Sequence, residues 1–367
     1  MQILAAVARH PHADFTLENA ILEAPRDDEI LVKIVGVGLC HTDLVARDQF
    51  IPIPLPAVLG HEGAGIVEKV GRAVTKVSPG DRVIIGFNNC GVCPRCREHL
   101  SAYCSEFPVR NFAGARPDGS SAISIEGERV SANFFGQSSF ASHALANERN
   151  VVKVEDPELP LEILGPLGCG LQTGAGGVIR SLACPKGSSI AIFGGGPVGL
   201  AAVMGAVIQE CGVIILVEPM PGRRELALEL GAHHVLDPLA GDVAAQIREI
   251  LPTGVDFAFE SSGRESVVEA ALASLGSHGL LGLVGVPPKP DSGVFLNLAS
   301  LITYGHRIHG IIEGDSDQDT FIPELLSHFK AGRFPFDKLI KTYSLERIND
   351  AVADQAQGIC VKAVLLT

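Results

Sequence analysis

The chain has 367 residues, 46% of them hydrophobic, and a mean hydropathy of +0.28. At roughly 100–200 residues per domain this is two globular domains, which excludes a disordered tail or a binding peptide. Acidic residues outnumber basic ones 42 to 29, giving a net charge of −13; with no lysine- or arginine-rich run to offset it, nucleic acid is not expected as a partner.

The opening stretch MQILAAVARHPH lacks a basic segment ahead of its short apolar run Ile3–Ala8, so it reads as a strand rather than a secretory leader, and a cytoplasmic location is expected. From Met1 to about Pro166 the chain is rich in glycine, proline and β-formers, with runs such as Ile30–Val37 and Gly65–Val70 that predict an all-β, barrel-like domain. From about Cys184 to Pro287 strand and helix patterns alternate: strands at Ser189–Phe193 and Val213–Val217, helices at Pro197–Gln209 and Arg223–Leu230, and later strands at Phe257–Glu260 and Leu280–Val286. This is the texture of a parallel sheet covered by helices. The uncharged stretch Gly187–Gln209 holds Gly194, Gly195, Gly196 and Pro197 in its first half, which would break a bilayer span, so no membrane association is expected. The end is strand-like, Val361–Leu366, as in a return to the first domain.

Four of the nine cysteines, Cys90, Cys93, Cys96 and Cys104, make C-x2-C-x2-C-x7-C. Four thiolates in one short loop suit a single tetrahedral Zn²⁺. Bacterial iron–sulfur motifs also begin C-x2-C-x2-C but continue with x3-C-P, so a structural zinc is expected, with a cluster or disulfides as the alternatives. Four ligating thiolates leave no open position, so this ion would hold the lobe and do no chemistry.

Gly194, Gly196 and Gly199 form G-x-G-x-x-G between an expected strand and helix, and Glu218 follows 19 residues after Gly199 at the end of the next strand. That context marks a dinucleotide turn: the glycines allow the tight turn, the approach of a pyrophosphate and close packing of the helix, while the acid binds ribose hydroxyls. A carboxylate there repels a 2′-phosphate, which favours NAD over NADP, although Arg223 and Arg224 nearby could pair with one.

Cys40-His41-Thr42-Asp43, Gly60-His61-Glu62-Gly63 and Gly168-Cys169-Gly170 cannot be assembled by spacing alone. Together with the four-cysteine lobe and the glycine turn they resemble the zinc-dependent medium-chain alcohol dehydrogenases from about residue 20 to the C-terminus. The runs Phe134–Phe140, Gly165–Gly176 and Gly310–Asp315 resemble the aryl-alcohol (benzyl alcohol) branch. The resemblance implies an α/β fold, with a Rossmann doubly wound parallel sheet plus a GroES-like mostly-β catalytic domain. The expected division is a catalytic domain over 1–170, an NAD-binding domain over 171–312 and a return over 313–367.

The resemblance further implies a catalytic Zn²⁺ held by Cys40, His61 and Cys169 with an open fourth position. Asp43 would orient His61, and Glu62 would exchange onto the metal. His41 and Lys362 would contact the pyrophosphate; Gly194, Gly196, Pro197, Val198 and Gly199 would line it; Glu218 and Arg223 would hold the adenosine ribose; Thr173, Val284 and Val286 would lie against the nicotinamide. The reaction implied is oxidation of an alcohol through a zinc alkoxide, with hydride passing to NAD and Thr42 receiving the proton and passing it to the cofactor ribose. Many relatives complete the proton path with a histidine where this chain has Val45, so water or buffer is expected to finish it. Phe134, Phe135, Ile51 and Leu55 are the expected pocket wall for an aromatic alcohol, with Gly86 leaving room for a ring. A terpene primary alcohol dehydrogenase, of the geraniol or perillyl type, and a glutathione-dependent formaldehyde dehydrogenase are the alternatives within the family. An NAD-binding structural protein would lack a ligand or Thr42. The implied association, through the stretch 303–312, gives a homodimer or homotetramer. Cys184, Cys211 and Cys360 read as core.

Overall fold

The computed structural model describes residues 1–367. They form two compact units: Met1–Cys169 with Asp317–Pro323 and Asp337–Thr367, and Gly170–Ser316 with Glu324–Phe336.

The first unit is mostly β. A five-stranded sheet runs in the order Ala57–Val58, Gln2–Ala8, Thr16–Leu22, Ile123–Ile125, Glu128–Val130. A seven-stranded sheet is organised by the strand Glu29–Gly38, which pairs antiparallel with Gly63–Val70, His143–Asn147 and Lys362–Leu366. Of its β-branched residues, Ile30, Val32, Ile34 and Val37 are buried and Val35 is half-buried, as a strand with partners along its length requires. Register then brings distant residues together. Val37 lies opposite Gly63 and Val364 opposite Gly38, so Cys40, His61 and Lys362 all emerge at the same end of the sheet. The short turn Gly165–Gly168 lies across that end, and only glycines permit the approach. A Cβ on Gly165 would stand 2.0 Å from the Glu62 carbonyl oxygen, and one on Gly168 2.3 Å from that of Ile85.

The second unit carries a six-stranded sheet in the order His234–Leu236, Val213–Val217, Ser189–Phe193, Val255–Glu260, Leu275–Leu283, Arg307–Gly310, parallel throughout. Numbered along the chain, this is the dinucleotide-binding order 3-2-1-4-5-6. Phe193, Ile215, Val217, Ile247, Val255, Ala258, Ala271 and Leu281 share one buried cluster, the core that sheet and helices form together. The uncharged segment around residue 200 is a strand, a turn and the helix Pro197–Ile208; no helix of the chain is long and apolar enough to cross a membrane.

Two expectations are corrected. The strand reaching Val286 ends at Leu283, because the amides of Val284 and Gly285 both turn to the Glu260 carbonyl (2.9 and 3.2 Å) and leave the ladder. The C-terminal return is not one block over 313–367, since residues 313–316 and 324–336 belong to the second unit. The helix Gln318–Lys330 contains Pro323, and the division between units falls at that residue, where the ring removes a helical N–H.

Candidate active site and metal centres

Cys40, His61, Glu62 and Cys169 converge with their ligand atoms within 4.8 Å of one another. Cys40 caps the helix His41–Arg47, and Asp43 in that helix is fully buried. The Asp43 Oδ2 accepts the Cys40 amide (2.9 Å), while Oδ1 accepts the Gly60 amide (3.0 Å) and faces His61 Nδ1 at 2.8 Å. One carboxylate thus fixes the backbone of both ligand segments. It also places the imidazole proton on Nδ1, leaving Nε2 as the free lone pair. His61 Nε2 is buried and has no hydrogen-bond partner, a costly state for a polar atom unless an ion takes it. Two thiols, an orphaned imidazole nitrogen and a carboxylate suit zinc. Burial opposes a charge on His61, but Asp43 and Cys40 outweigh it and hold its pKa well above the ordinary value. The hydrogen bond from Cys169, joined by the charge of His61 against the effect of burial, holds the Cys40 thiol well below its own.

Glu62 is fully buried and its Oε2 stands 2.5 Å from Lys362 Nζ, which also donates to the Leu39 carbonyl at 2.9 Å. Burial raises the Glu62 pKa against the pull of Lys362. Burial opposes the charge on Lys362, yet Glu62 and Cys40 raise its pKa. The expectation that Lys362 reaches a pyrophosphate is therefore corrected: the side chain is 1% exposed and its ammonium is committed to Glu62 and Leu39. Its strand pairs parallel with Ile340–Ser344, with Ile340 opposite Lys362, and the burial of the ammonium beside Glu62 is a tertiary feature no local pattern announces.

Phe134 and Phe135 do not line an open wall. Phe135 stacks on the His61 ring at 4.3 Å between centroids and Phe134 meets its edge at 5.3 Å, both rings being buried. They hold the imidazole, because the left-handed backbone at Asn133 and Phe135 folds the run back over it. Ile51 and Leu55 are half-buried, Thr42 is half-buried with its Oγ1 3.7 Å from Cys40 Sγ, and His41 is exposed. The space expected beside Gly86 is filled: a Cβ there would stand 2.1 Å from Gln318 Oε1, whose amide nitrogen donates to the Phe87 and Arg149 carbonyls. Gln137 is a support that spacing does not reveal. Its amide donates to the His61 carbonyl (2.8 Å) and its Oε1 accepts the Gly63 amide (3.1 Å), bracketing the ligand pair from a remote segment.

The other four sulfurs, of Cys90, Cys93, Cys96 and Cys104, form the second cluster, with Cys93 and Cys96 at 3.5 Å and Cys90 and Cys96 at 3.9 Å. A tetrahedron of 2.3 Å zinc–sulfur bonds has edges of about 3.8 Å. All four are free thiols, which removes the disulfide alternative. The amides of Val92 and Cys93 donate to Cys90 Sγ and those of Cys90 and Glu106 to Cys104 Sγ, at 3.3 to 3.5 Å, an arrangement that favours thiolates. The amide of Cys96 brings the Cys93 thiol down to about 5, while burial pushes Cys96 up to about 12.

In the second unit Gly194 (φ +102°) makes the tight turn and Gly196 caps the helix Pro197–Ile208. A Cβ on Gly199 would lie 1.7 Å from the Gly194 carbonyl, whereas one on Gly196 would meet nothing within 4 Å, leaving its face open as a cradle for phosphate beside Pro197 and Val198. Glu218, 4% exposed, accepts the Gly195 amide (2.6 Å) and the Met220 amide (2.9 Å). Arg224 is committed to the carbonyls of Glu218 and Pro219 and to Asp237, while Arg223 Nε is buried without a partner. Thr173 is buried in the helix Gly170–Gly176, Val284 is half-buried and Val286 is exposed.

Comparison with known proteins agrees with this chemistry. Residues 26–156 match the alcohol dehydrogenase GroES-like domain and residues 197–330 the zinc-binding dehydrogenase family. A geraniol dehydrogenase from Castellaniella defragrans is 46% identical over 99% of this chain and 97% of its own length. The structure of a zinc-binding alcohol dehydrogenase domain protein from Burkholderia ambifaria is 51% identical with a TM-score of 0.97, covering 100% of this chain and 99% of its own. That of benzyl alcohol dehydrogenase from Acinetobacter calcoaceticus is 43% identical with a TM-score of 0.96 over the same shares. Two cysteine-rich metal centres on a GroES-like unit, a parallel sheet with a dinucleotide turn, and near-complete overlap with these enzymes place the chain in the zinc-dependent medium-chain alcohol dehydrogenases, which use zinc and NAD(P) to act on small-molecule alcohols.

Proposed function

We propose that this enzyme oxidises an aromatic primary alcohol of the benzyl type to its aldehyde, with NAD as acceptor. The observation that carries the reading is the orphaned, oriented Nε2 of His61 between two cysteine sulfurs, in a chain that overlaps a benzyl alcohol dehydrogenase almost completely. Ile51 and Leu55, half-buried and apolar, are the wall assigned to the substrate, since flat apolar surface favours a planar ligand. The likeness to a geraniol dehydrogenase supports a terpene primary alcohol as the second reading.

Cys40, His61 and Cys169 would hold the catalytic ion and Glu62 would approach it; Cys90, Cys93, Cys96 and Cys104 would hold the structural one. Bound there, zinc would supply a Lewis acid for the alcohol oxygen and NAD a hydride acceptor. Asp43 keeps the imidazole in one tautomer, and Phe134 and Phe135 keep its plane. Thr42 would accept the alcohol proton at Oγ1 while passing its own hydroxyl proton on. Val45 is buried and has no titratable group to pass it on, so the proton leaves through water or buffer. Gly194, Gly196 and Gly199 would admit the pyrophosphate, Glu218 and Arg223 would hold the adenosine ribose, and Thr173 with the backbone of Val284 to Val286 would hold the nicotinamide. His41, exposed at the helix start, remains a pyrophosphate contact. Glu218 disfavours a 2′-phosphate, which supports NAD over NADP.

The test is kcat/KM for benzyl alcohol, geraniol and ethanol with NAD and with NADP. The reading expects benzyl alcohol with NAD to lead; geraniol leading would favour the second reading, and ethanol leading would overturn both.

A further inference from the structure

The geometry points to Glu313 as a positioning residue that sets the cofactor-facing helix Gly170–Gly176 through Gln172. Glu313, Gly314 and Asp315 are three successive residues in left-handed backbone, with φ of 52°, 68° and 51°. Glycine adopts this freely, but at Glu313 and Asp315 it costs energy that the surroundings must supply. The surroundings do so by tying the turn to the helix. Gln172, fully buried, donates from Nε2 to Glu313 Oε2 at 3.4 Å, and its Oε1 accepts Ser316 Oγ at 3.2 Å. Ser316 Oγ also lies 2.7 Å from the Glu313 carbonyl. Asp315 Oδ2 accepts Ser181 Oγ at 2.5 Å and faces His309 Nε2 at 3.1 Å. The backbones touch as well: a Cβ on Gly314 would stand 2.4 Å from the Gln172 carbonyl, and one on Gly176 2.7 Å from that of Gly314.

The helix needs such a support. Gly170, Gly174 and Gly176 give it little propensity of its own, and it runs directly into the π-helical turn Gly177–Ser181. One side is fixed by the helix Pro197–Ile208, where a Cβ on Gly174 would stand 2.0 Å from the Val198 carbonyl. The turn 313–315 fixes it from Gln172, one residue before Thr173. A glycine at 313 would carry no strain; what it would lack is the carboxylate on Gln172.

The inference rests on the reading that Thr173 lies against the nicotinamide, so the experiment compares Glu313→Gly, Glu313→Gln and Thr173→Ala in the zinc-loaded enzyme. Tm, kcat, and KM for NAD are measured for each. Glu313→Gly is expected to keep or raise Tm while raising KM for NAD about ten-fold, with kcat at saturating NAD within about three-fold of the parent. Glu313→Gln, whose amide oxygen can still accept from Gln172, should bring KM back to within about three-fold. If Thr173→Ala raises KM for NAD and Glu313→Gly does not, the positioning role is overturned. It is equally overturned if Glu313→Gly lowers Tm and Glu313→Gln fails to restore KM. If Thr173→Ala leaves KM unchanged, the placement of Thr173 fails, and this inference with it.

Discussion

Single side chains decide the state of the catalytic centre. Replacing Asp43 with Asn keeps its volume but weakens the acceptor for two amides and His61 Nδ1, and loss of such a partner typically costs about 10–100-fold in metal affinity. Zinc analysis of Asp43→Asn after dialysis against a weak chelator should find about one zinc per chain where the parent keeps two; retention of both would show that Asp43 does not govern the site. Lys362→Met would strand a buried carboxylate, and breaking a buried pair costs about 3–5 kcal/mol. Denaturant unfolding of the zinc-loaded protein reads that loss; an unchanged midpoint would mean that Glu62 finds another partner. The pH dependence has a definite sign. Because the His61 pKa is raised, its proton persists to higher pH and competes with a metal at Nε2, so competition begins above the ordinary histidine range and grows as pH falls. Zinc per chain measured across pH 8 to 5 should fall as pH is lowered; a metal content that stays constant over this range would contradict it.

Among the elements, the glycine turn and its helix separate what folds the chain from what binds cofactor. Gly199→Ala drives a methyl into the Gly194 carbonyl, so it should lower Tm and NAD affinity together. Gly196→Ala meets nothing in the protein, so Tm should hold while KM for NAD rises about ten-fold or more. A Gly196→Ala variant with unchanged KM would mean that the pyrophosphate does not approach there. Strand and helix limits in this unit were legible because each element is locally consistent: Ser189–Phe193 and Val213–Val217 are apolar runs closed by turn residues. The exceptions are two strand starts, at Val255 rather than Phe257 and at Leu275 rather than Leu280, and one strand end, at Leu283 rather than Val286, the last decided by the Glu260 carbonyl of a neighbouring strand.

At the level of the whole molecule, the chain keeps its metals in two places that differ in how they form. The loop 90–104 assembles its four sulfurs within one short segment, so its ion staples local chain; Cys40, His61 and Cys169 meet only because a sheet brings three segments to one end. Stability should follow. Several carboxylates lie below their ordinary pKa, among them Glu148, which caps the Thr75 and Lys76 amides, and Asp354, which accepts Tyr343 and Lys341. For depressed carboxylates the stabilisation is present above the unfolded values, 4.5 for Glu and 3.8 for Asp, and is lost as pH falls through the lower folded values. Thermal scans should therefore show a modest fall in Tm below about pH 4.5; a flat profile to pH 3 would show that these pairs contribute nothing net.

By itself the sequence determined the four-cysteine lobe, the dinucleotide turn and the strand and helix texture, because each depends on residues close together in the chain, where spacing alone constrains geometry. The proposed catalytic ligands were legible only through resemblance, since Cys40, His61 and Cys169 are joined by register across a sheet and not by spacing. Tertiary structure alone decided that Lys362 turns inward to Glu62, that Phe134 and Phe135 pack on His61, that Gln318 fills the space beside Gly86, and that the chain changes unit at Pro323. The reason is common to all four: which way a side chain faces is set by the partner it finds across the fold, and a buried charge or amide takes the one position where that partner satisfies it.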